Sequence, residues 1–474
     1  IFVFIAFANA VDISLLLKNH ANLVKTPFEK PIDVNSLQPQ FFNQKLDHFG
    51  WNKETWRQKF YVNRTYYQFN GPIFFQVGGE GPISSEDVTS LQMSVYAKQF
   101  GAAQVTLEHR FYGDSRPFSN LTTDNLKYLS SEQALADAAV FIHHMRQILP
   151  DSKGVVAFGG SYPGALAAWL RLKYPTLIDL SIATSAPVLA VEDMVSYLEV
   201  VDKTIAQISG QLCDNAIQNA TQTWQKMALT AQGAQQLSSM FNTCEPMTVG
   251  SDWKQWAMFA SALMGNWMGT VQYNRRRGHH IGIPTVSDLC NIMQTPRKTP
   301  LENYVDVNNL FMKRSKQTCL SVNYDEMIEE LSDLTDFSGG RSWTYQTCTE
   351  FGYFQTTDGP STAQPFGDLV PLKFYSQMCK DAFGANVGPP AVDQTNVLYG
   401  GDKPLGASKI LFVNCEWDEW ASLSIEKDLS PTLKALVVRD GAHCCTMDPY
   451  QPGKMSPYIL QAQKQISAQI AAWL

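Results

Sequence analysis

Residues 154–174 read GVVAFGGSYPGALAAWLRLKY, and the rest of the chain is best understood outward from them. GVVAF at 154–158 is a short apolar strand. It meets Gly159-Gly160-Ser161-Tyr162-Pro163-Gly164 and runs into the helix-like stretch ALAAWLRLKY. A serine on a sharp strand-to-helix turn has its hydroxyl pushed out at the end of the sheet, and small neighbours let the turn form. The next backbone amide, that of Tyr162, can point at a developing oxyanion near the positive end of the helix. The usual turn of this kind is G-x-S-x-G. Gly159 fits it, but Pro163 occupies the second glycine position, with Gly164 one later. Proline donates no amide, yet the oxyanion amide belongs to residue 162. Taken alone, such a turn is as readily structural as chemical.

The neighbouring segments supply a context. GPIFFQV at 71–77 is a short buried strand leading into Gly78-Gly79-Glu80-Gly81-Pro82. AQVTLE at 103–108 is another, ending at His109-Arg110. Ser130 or Ser131 caps a helix that continues as EQALADAAVFIHHMRQIL. Strands alternating with helices predict a mostly parallel sheet with helices on both faces, an α/β fold. From 191 to about 375 the rhythm is helical, as in SYLEVVDKTIAQI and YDEMIEELSDL, and predicts an inserted helical cap domain. After about 400 the alternation returns. KILFV at 409–413 is followed by NCEWDEW, and ALVVR at 435–439 by DGAHCC. Ser456 and Pro457 open a last helix, with Ile459, Ile466, Ile470 and Leu474 on one face. The expected organisation is a catalytic core from 40–190 and 376–474, interrupted by the cap at 191–375.

A serine needs a base, and the base needs an orienting carboxylate. In α/β-hydrolases they follow in the order Ser, acid, His, each in a loop after a strand. Asp418 follows strand 409–413 and His443 follows strand 435–439, which predicts both at the carboxyl edge of the sheet that carries Ser161. His20 and His48 precede the sheet, His109 follows an early strand, His143 and His144 sit on a helix, and His279 and His280 lie in the insertion. Only His443 has the required order and context. Asp440 and Asp448 lie too near His443 in sequence to orient its ring from a separate loop. The Gly78–Pro82 loop is the expected source of a second oxyanion amide, from Gly79 or Glu80.

Composition narrows the setting. The 474 residues are 45% hydrophobic, 12% aromatic and 17% charged, with net charge −7. This suits a packed globular protein rather than a solvated coil, and the negative balance argues against a nucleic-acid partner. The one basic run, Arg275-Arg276-Arg277 with His279 and His280, is short and reads as a solvated loop. The start, IFVFIAFANA, reads as the remnant of a signal peptide over residues 1–10, and no later stretch is apolar for long enough to span a bilayer. Sequons at Asn63, Asn120 and Asn219 agree with secretion. The nine cysteines, all after residue 212, show no CxxC pair and no zinc spacing, so disulfides are expected and no metal or cofactor. Their odd number leaves one thiol unpaired in a monomer. Spacing alone does not fix the connectivity.

The chain resembles the prolyl carboxypeptidase and dipeptidyl peptidase II family of serine peptidases, and most of all its thymus-specific serine protease branch. FNQKLDHF (42–49), GGEGP (78–82), EHRFYGDSRPF (108–118), YLSSEQALAD (128–137), GGSYPG (159–164), WTYQTCTEFGYFQT (343–356), NCEWDEW (414–420) and GAH (441–443) carry the resemblance. It implies an α/β-hydrolase core with a helical cap, with the triad on Ser161, Asp418 and His443. It also implies a secreted or lysosomal serine exopeptidase that hydrolyses peptides near proline. Pro163, in place of the family's usual small residue, and Glu419, in place of a proline in its Asp-Pro-Trp pattern, adjoin the site and bear on specificity.

A proline slot could be walled by Trp417, Trp420, Tyr162 and Trp343. Glu80, Glu350, Glu416 and Glu419 could approach a substrate amine, with Arg110 the main cation nearby, which tilts the reading toward amino-terminal recognition. The expected partners are peptide substrates, with no membrane span; a homodimer stays open. Two rival readings are an esterase or lipase on the same scaffold and a catalytically inactive binding protein of this fold. The expected bridges are Cys213–Cys290, Cys244–Cys319 and Cys348–Cys379. The nearly equal gaps of the first two fit a cross-linked helical hairpin, and the family resembled has similar spacing. Cys415 and Cys444 flank the expected acid and base on loops that must approach each other, so they are expected to pair, leaving Cys445 as the free thiol.

Overall fold

The structure, a computed structural model, describes residues 37–274, 284–360, 363–404 and 406–474. The signal-like start, His20, Arg275–Arg277, His279 and His280 lie outside the described residues. Eight strands form one sheet: β1 (Gln40–Lys45), β2 (Thr55–Asn63), β3 (Ile73–Val77), β4 (Ala103–Leu107), β5 (Val155–Gly160), β6 (Leu180–Thr184), β9 (Ile410–Cys415) and β10 (Leu433–Val438), in the order β1-β2-β4-β3-β5-β6-β9-β10. The β1–β2 and β2–β4 pairs are antiparallel, and every other pair is parallel. A short parallel pair, β7 (Val191–Asp193) with β8 (Gly352–Phe354), lies apart.

Side chains along a strand alternate between faces, so a sheet covered on both sides needs strands apolar throughout. β3 to β6 and β9 are buried at every position. On one face Ile73, Phe75, Val105, Ala157 and Phe412 pack with Leu135, Ala138, Phe141 and Met145 of helix Ser131–Ile148 and with Leu166 and Trp169 of helix Tyr162–Lys173. On the other, Phe74, Val156, Phe158, Ile182 and Leu411 meet Met93 and Tyr96 of helix Gln92–Phe100 and Ile459, Ile466 and Ile470 of helix Pro457–Trp473. Burying each such side chain contributes about 1.5–3 kcal/mol. Ser456 caps the last helix and Pro457 starts it, whereas Leu474 is 47% exposed rather than joining that face. This is the α/β-hydrolase fold.

The chain leaves the sheet after Thr184 and returns at Ile410, with a largely helical insertion between. The expected boundary at 375/376 falls inside helix Leu372–Phe383, whose Cys379 is bridged to Cys348. Helix Val392–Tyr399 belongs with the same excursion, since Thr395 Oγ1 donates to Glu350 O (2.8 Å). Cys213–Cys290 joins helices Gln211–Ala228 and Val286–Met293. Cys244–Cys319 instead joins two irregular segments beside the Thr243–Leu320 bridge, not a second level of a helical hairpin.

The fourth bridge differs from the expectation. Cys415 pairs with Cys445, and Cys444 is the free thiol. Cys444 has φ +58°; this turn sends the two successive side chains to opposite sides. Cys445 N–H donates to Cys415 Sγ (3.3 Å), while Cys444 Sγ lies against Gly160. Of the sequons, Asn219 is exposed and Asn120 half-buried. Asn63 is buried, and its Nδ2, the atom a glycan would take, donates to Val88 O (2.7 Å), so this expected glycosylation site does not fit the fold. Among the described residues no helix is long and apolar enough to cross a membrane, and no group of three or more His, Cys, Asp or Glu side chains could hold a metal ion.

Candidate active site

Ser161 sits between β5 and helix Tyr162–Lys173 with φ 64° and ψ −136°. A residue with a side chain in this region costs on the order of 1–3 kcal/mol and persists only where its surroundings enforce it. Here they do. Ser161 N–H donates to Thr184 O (3.0 Å), and Ser161 O accepts from Gly164 N–H (2.8 Å) and Ala165 N–H (3.1 Å). A Cβ on Gly159 would fall 2.0 Å from Pro163 O, one on Gly160 1.9 Å from Met447 Sδ, and one on Gly164 2.6 Å from Thr184 O. The glycines therefore permit a turn with no room for a side chain at positions 159, 160 and 164. Pro163 lies in the first helical turn, where the missing N–H has no partner to lose. A Cβ on Gly79 would lie 2.2 Å from Pro163 Cγ, so the GGEGP loop packs directly on the serine turn.

Asp418 follows β9 and caps the short turn Glu419–Leu423; its Oδ1 accepts Trp420 N–H (3.1 Å). The same oxygen lies 2.7 Å from His443 Nδ1. Both residues are buried. With Nδ1 donating to Asp418, the basic lone pair is on Nε2, which has no nitrogen or oxygen partner among the described residues. Burial disfavours the imidazolium, but the Asp418 carboxylate and then Cys444 outweigh it and hold His443 well above the ordinary histidine range. Trp417 N–H to Gly441 O (2.8 Å) ties the two loops, and Cys444 N–H to Ser185 Oγ (2.8 Å) ties the histidine loop to the end of β6. The contact of Cys444 with Gly160 sets the residue after His443 against the residue before Ser161. Ser161, Asp418 and His443 thus sit beyond the carboxyl ends of the parallel strands β5, β9 and β10.

The profile of the family described as Serine carboxypeptidase S28 matches residues 44–466. The chain belongs to that family. The thymus-specific serine protease of Mus musculus is 34% identical over 452 residues, covering 92% of this chain and 87% of the relative. That of Homo sapiens is 33% identical over 452 residues, covering 92% and 86%. The lysosomal Pro-X carboxypeptidase of Mus musculus is 29% identical over 463 residues, covering 93% and 90%. The protein is a serine-type peptidase.

Around Ser161, Asp418 and His443 the expected binding residues separate. Trp420 is buried with its ring centroid 6.3 Å from that of His443, and Trp417 is buried in the same loop. Trp343, expected as a pocket wall, packs on Tyr162 and Phe351 beneath the serine turn. The Tyr162 side chain also points inward, with its hydroxyl 3.0 Å from His109 Nε2 and 2.9 Å from Gln346 Nε2. Burial pushes His109 down to about 4, so this histidine is neutral. Glu350, expected near the substrate, instead accepts Ser131 N–H (3.0 Å) at the start of helix Ser131–Ile148. Glu416 is exposed and bonds Gln207 Nε2 and Asp440 N–H. Arg110 is locked by Asp137 (2.6 and 2.7 Å) and by Leu46 and Tyr128 carbonyls, which makes it a structural cation.

Glu80 is buried in the loop against Pro163, and its charge acts on His109, Tyr112 and Tyr273. Glu419 is fully buried, and neither carboxyl oxygen has a hydrogen-bond partner among the described residues. Burial, then the neighbouring Asp418 charge, hold it well above the usual carboxylate range, so it is a neutral acid.

The sequence reading overlooked Gln272. Its side chain accepts Tyr197 Oη (2.7 Å) and Trp420 Nε1 (3.2 Å), and its carbonyl accepts His443 N–H (3.1 Å). A glutamine ending an apolar helix carries no sequence signal for this.

Proposed function

We propose that this S28 peptidase is a serine exopeptidase cleaving near proline, with Ser161 as nucleophile, His443 as base and Asp418 as orienting acid. The observation that carries the reading is the 2.7 Å Asp418–His443 hydrogen bond, made beyond the same sheet edge as the strained serine. His443 Nε2 takes the Ser161 proton as Oγ attacks the scissile carbonyl, then gives it to the leaving amine. Asp418 keeps Nδ1 protonated and stabilises the imidazolium. The Tyr162 amide and one from the Gly79–Glu80 loop receive the developing oxyanion, each such donor contributing about 3–4 kcal/mol. Water, activated by the same histidine, then releases the acyl group. Ser161→Ala should abolish peptide turnover and leave the thermal unfolding midpoint unchanged; retained turnover places the nucleophile elsewhere.

The terminus recognised is read from charge. Glu80 is a buried acidic residue in the loop that packs on the serine turn, Glu419 is held neutral by burial, and Arg110 is bonded to Asp137. This supports a peptidase that holds a free amino terminus against Glu80, releasing an amino-terminal fragment ending in proline. Paired Xaa-Pro substrates with free and blocked amines test it. The free amine should be strongly preferred, and Glu80→Gln should raise KM for it alone. Equal rates on both substrates contradict amine recognition and favour an endopeptidase, a carboxypeptidase or an esterase. Secretion or delivery to a lysosome-like compartment is supported by the four disulfides and by the lysosomal relatives.

A further inference from the structure

Helix Trp253–Gln272 is buried over most of its length, and its last residue is a glutamine only 2% exposed. A buried amide is costly unless its hydrogen bonds are made, and the Gln272 side chain makes three, two of them to separate segments. Oε1 accepts from Tyr197 Oη (2.7 Å) on helix Ser196–Ser209 and from Trp420 Nε1 (3.2 Å) in the Asp418 loop. Nε2 donates to Tyr273 Oη (2.8 Å). The main-chain carbonyl accepts from His443 N–H (3.1 Å) in the histidine loop.

Two of these bonds reach the two ends of one couple. Trp420, gripped at its indole by Gln272, donates its own N–H to Asp418 Oδ1 (3.1 Å), the oxygen that faces His443 Nδ1. His443 is gripped at its backbone amide, which bonds to the insertion and not to the sheet. The strands bring the two loops to one edge, but the insertion supplies the last constraint on each. Proton transfer is steep in distance and angle, so a small shift of either loop is costly.

We propose that Gln272 is a positioning residue: it aligns the Asp418–His443 pair and makes that alignment depend on the seating of the helical insertion. The inference rests on the reading of Ser161, Asp418 and His443 given above. It accounts for a buried amide with three side-chain hydrogen bonds at the end of a buried helix, where Leu or Met would pack without needing partners.

Gln272→Met keeps the length, much of the volume and the main-chain carbonyl, and removes the side-chain bonds. Its kcat should fall roughly tenfold to 100-fold, the scale of an ångström of misplacement, with KM close to wild type. The rate at which a small fluorophosphonate labels Ser161 should fall in parallel, because that reagent needs the aligned base and little of the peptide site. A Met variant that folds and keeps the wild-type kcat and labelling rate overturns the inference, as does a change confined to KM. Where the Met variant does not fold, Tyr197→Phe removes one hydroxyl from the same amide; it should lower kcat several-fold, and an unchanged kcat overturns the inference. Wild-type protein left unlabelled at Ser161 would instead defeat the underlying reading, so the two failures are distinguishable.

Discussion

Asp418 bears the sharpest consequence at the scale of single residues. Asn in its place keeps the shape but presents an amide to His443 Nδ1, which favours the tautomer with its proton on Nε2. Asp418→Asn should therefore lower kcat by about 10³–10⁴ and, by removing one partner of a buried pair, lower the unfolding midpoint; steady-state kinetics beside a thermal melt check both. Gly79→Ala is a second case. Its Cβ would fall 2.2 Å from Pro163 Cγ, so the loop must withdraw from the serine turn and kcat should drop without loss of Ser161 itself. Ser161, Asp418 and His443 stood out as candidates because each follows a strand and the three stand in the order Ser, acid, His. The bridge from Cys415 was legible only as to which loops it joins. Choosing Cys445 over Cys444 depends on the positive φ of Cys444, a turn conformation that two adjacent cysteines do not announce. Gln272 was illegible for a related reason, since its partners lie 75, 148 and 171 residues away in sequence.

Among the elements, helix Ser131–Ile148 begins on a carboxyl group. Ser130 caps it, and Glu350 of the insertion receives Ser131 N–H at its positive end. Desolvation pushes Glu350 up to about 7. Its contribution to stability is present below the unfolded value of about 4.5 and is lost as pH rises through about 7. Glu350→Gln should flatten the decline of the melting temperature between about pH 4.5 and pH 7; an unaltered slope would show that the carboxyl does not titrate there. The Cys415–Cys445 bridge closes a separation of 30 residues and should contribute about 3–4 kcal/mol. Cys445→Ala should lower both stability and kcat by loosening the acid and base loops. A variant that loses neither would deny the bridge that role. The strands β3, β4, β5, β9 and β10 were readable as short apolar runs, whereas β6 was not singled out. β2 was not readable, because Arg57, Gln58 and Lys59 interrupt it; the fold satisfies Gln58 at Glu108 O (2.7 Å) and Lys59 at Asp114 (3.0 Å). The insertion boundary was misjudged because helix Leu372–Phe383 has the same periodicity whichever layer it packs on.

Across the whole molecule most of the perturbed acids are raised by burial, whereas Asp47, Glu302 and Asp333 are lowered by hydrogen bonds. Burial raises Asp87 to about 6, Glu330 to about 7 and Asp202 to about 8, Asp202 being raised further by the adjoining Asp214. Each is easier to protonate folded than unfolded, so its contribution is present in acid and is lost as pH rises through these values. His443 acts in the same sense, its contribution being complete below about 6.5 and lost above its raised value. His109 opposes them, since its contribution is present above about 6.5 and lost as pH falls through about 4. The expected stability maximum is mildly acidic, with a melting temperature higher near about pH 5.5 than near about pH 8; the reverse order in a pH series of thermal melts would contradict the protonation states assigned here. The central claim is that the fold brings Ser161, Asp418 and His443 into one acyl-transfer site. Fluorophosphonate labelling of the full chain followed by peptide mass spectrometry tests it most directly. The account predicts a single adduct on the peptide carrying Ser161, abolished by His443→Ala; an adduct on another residue, or one that survives that substitution undiminished, would contradict it.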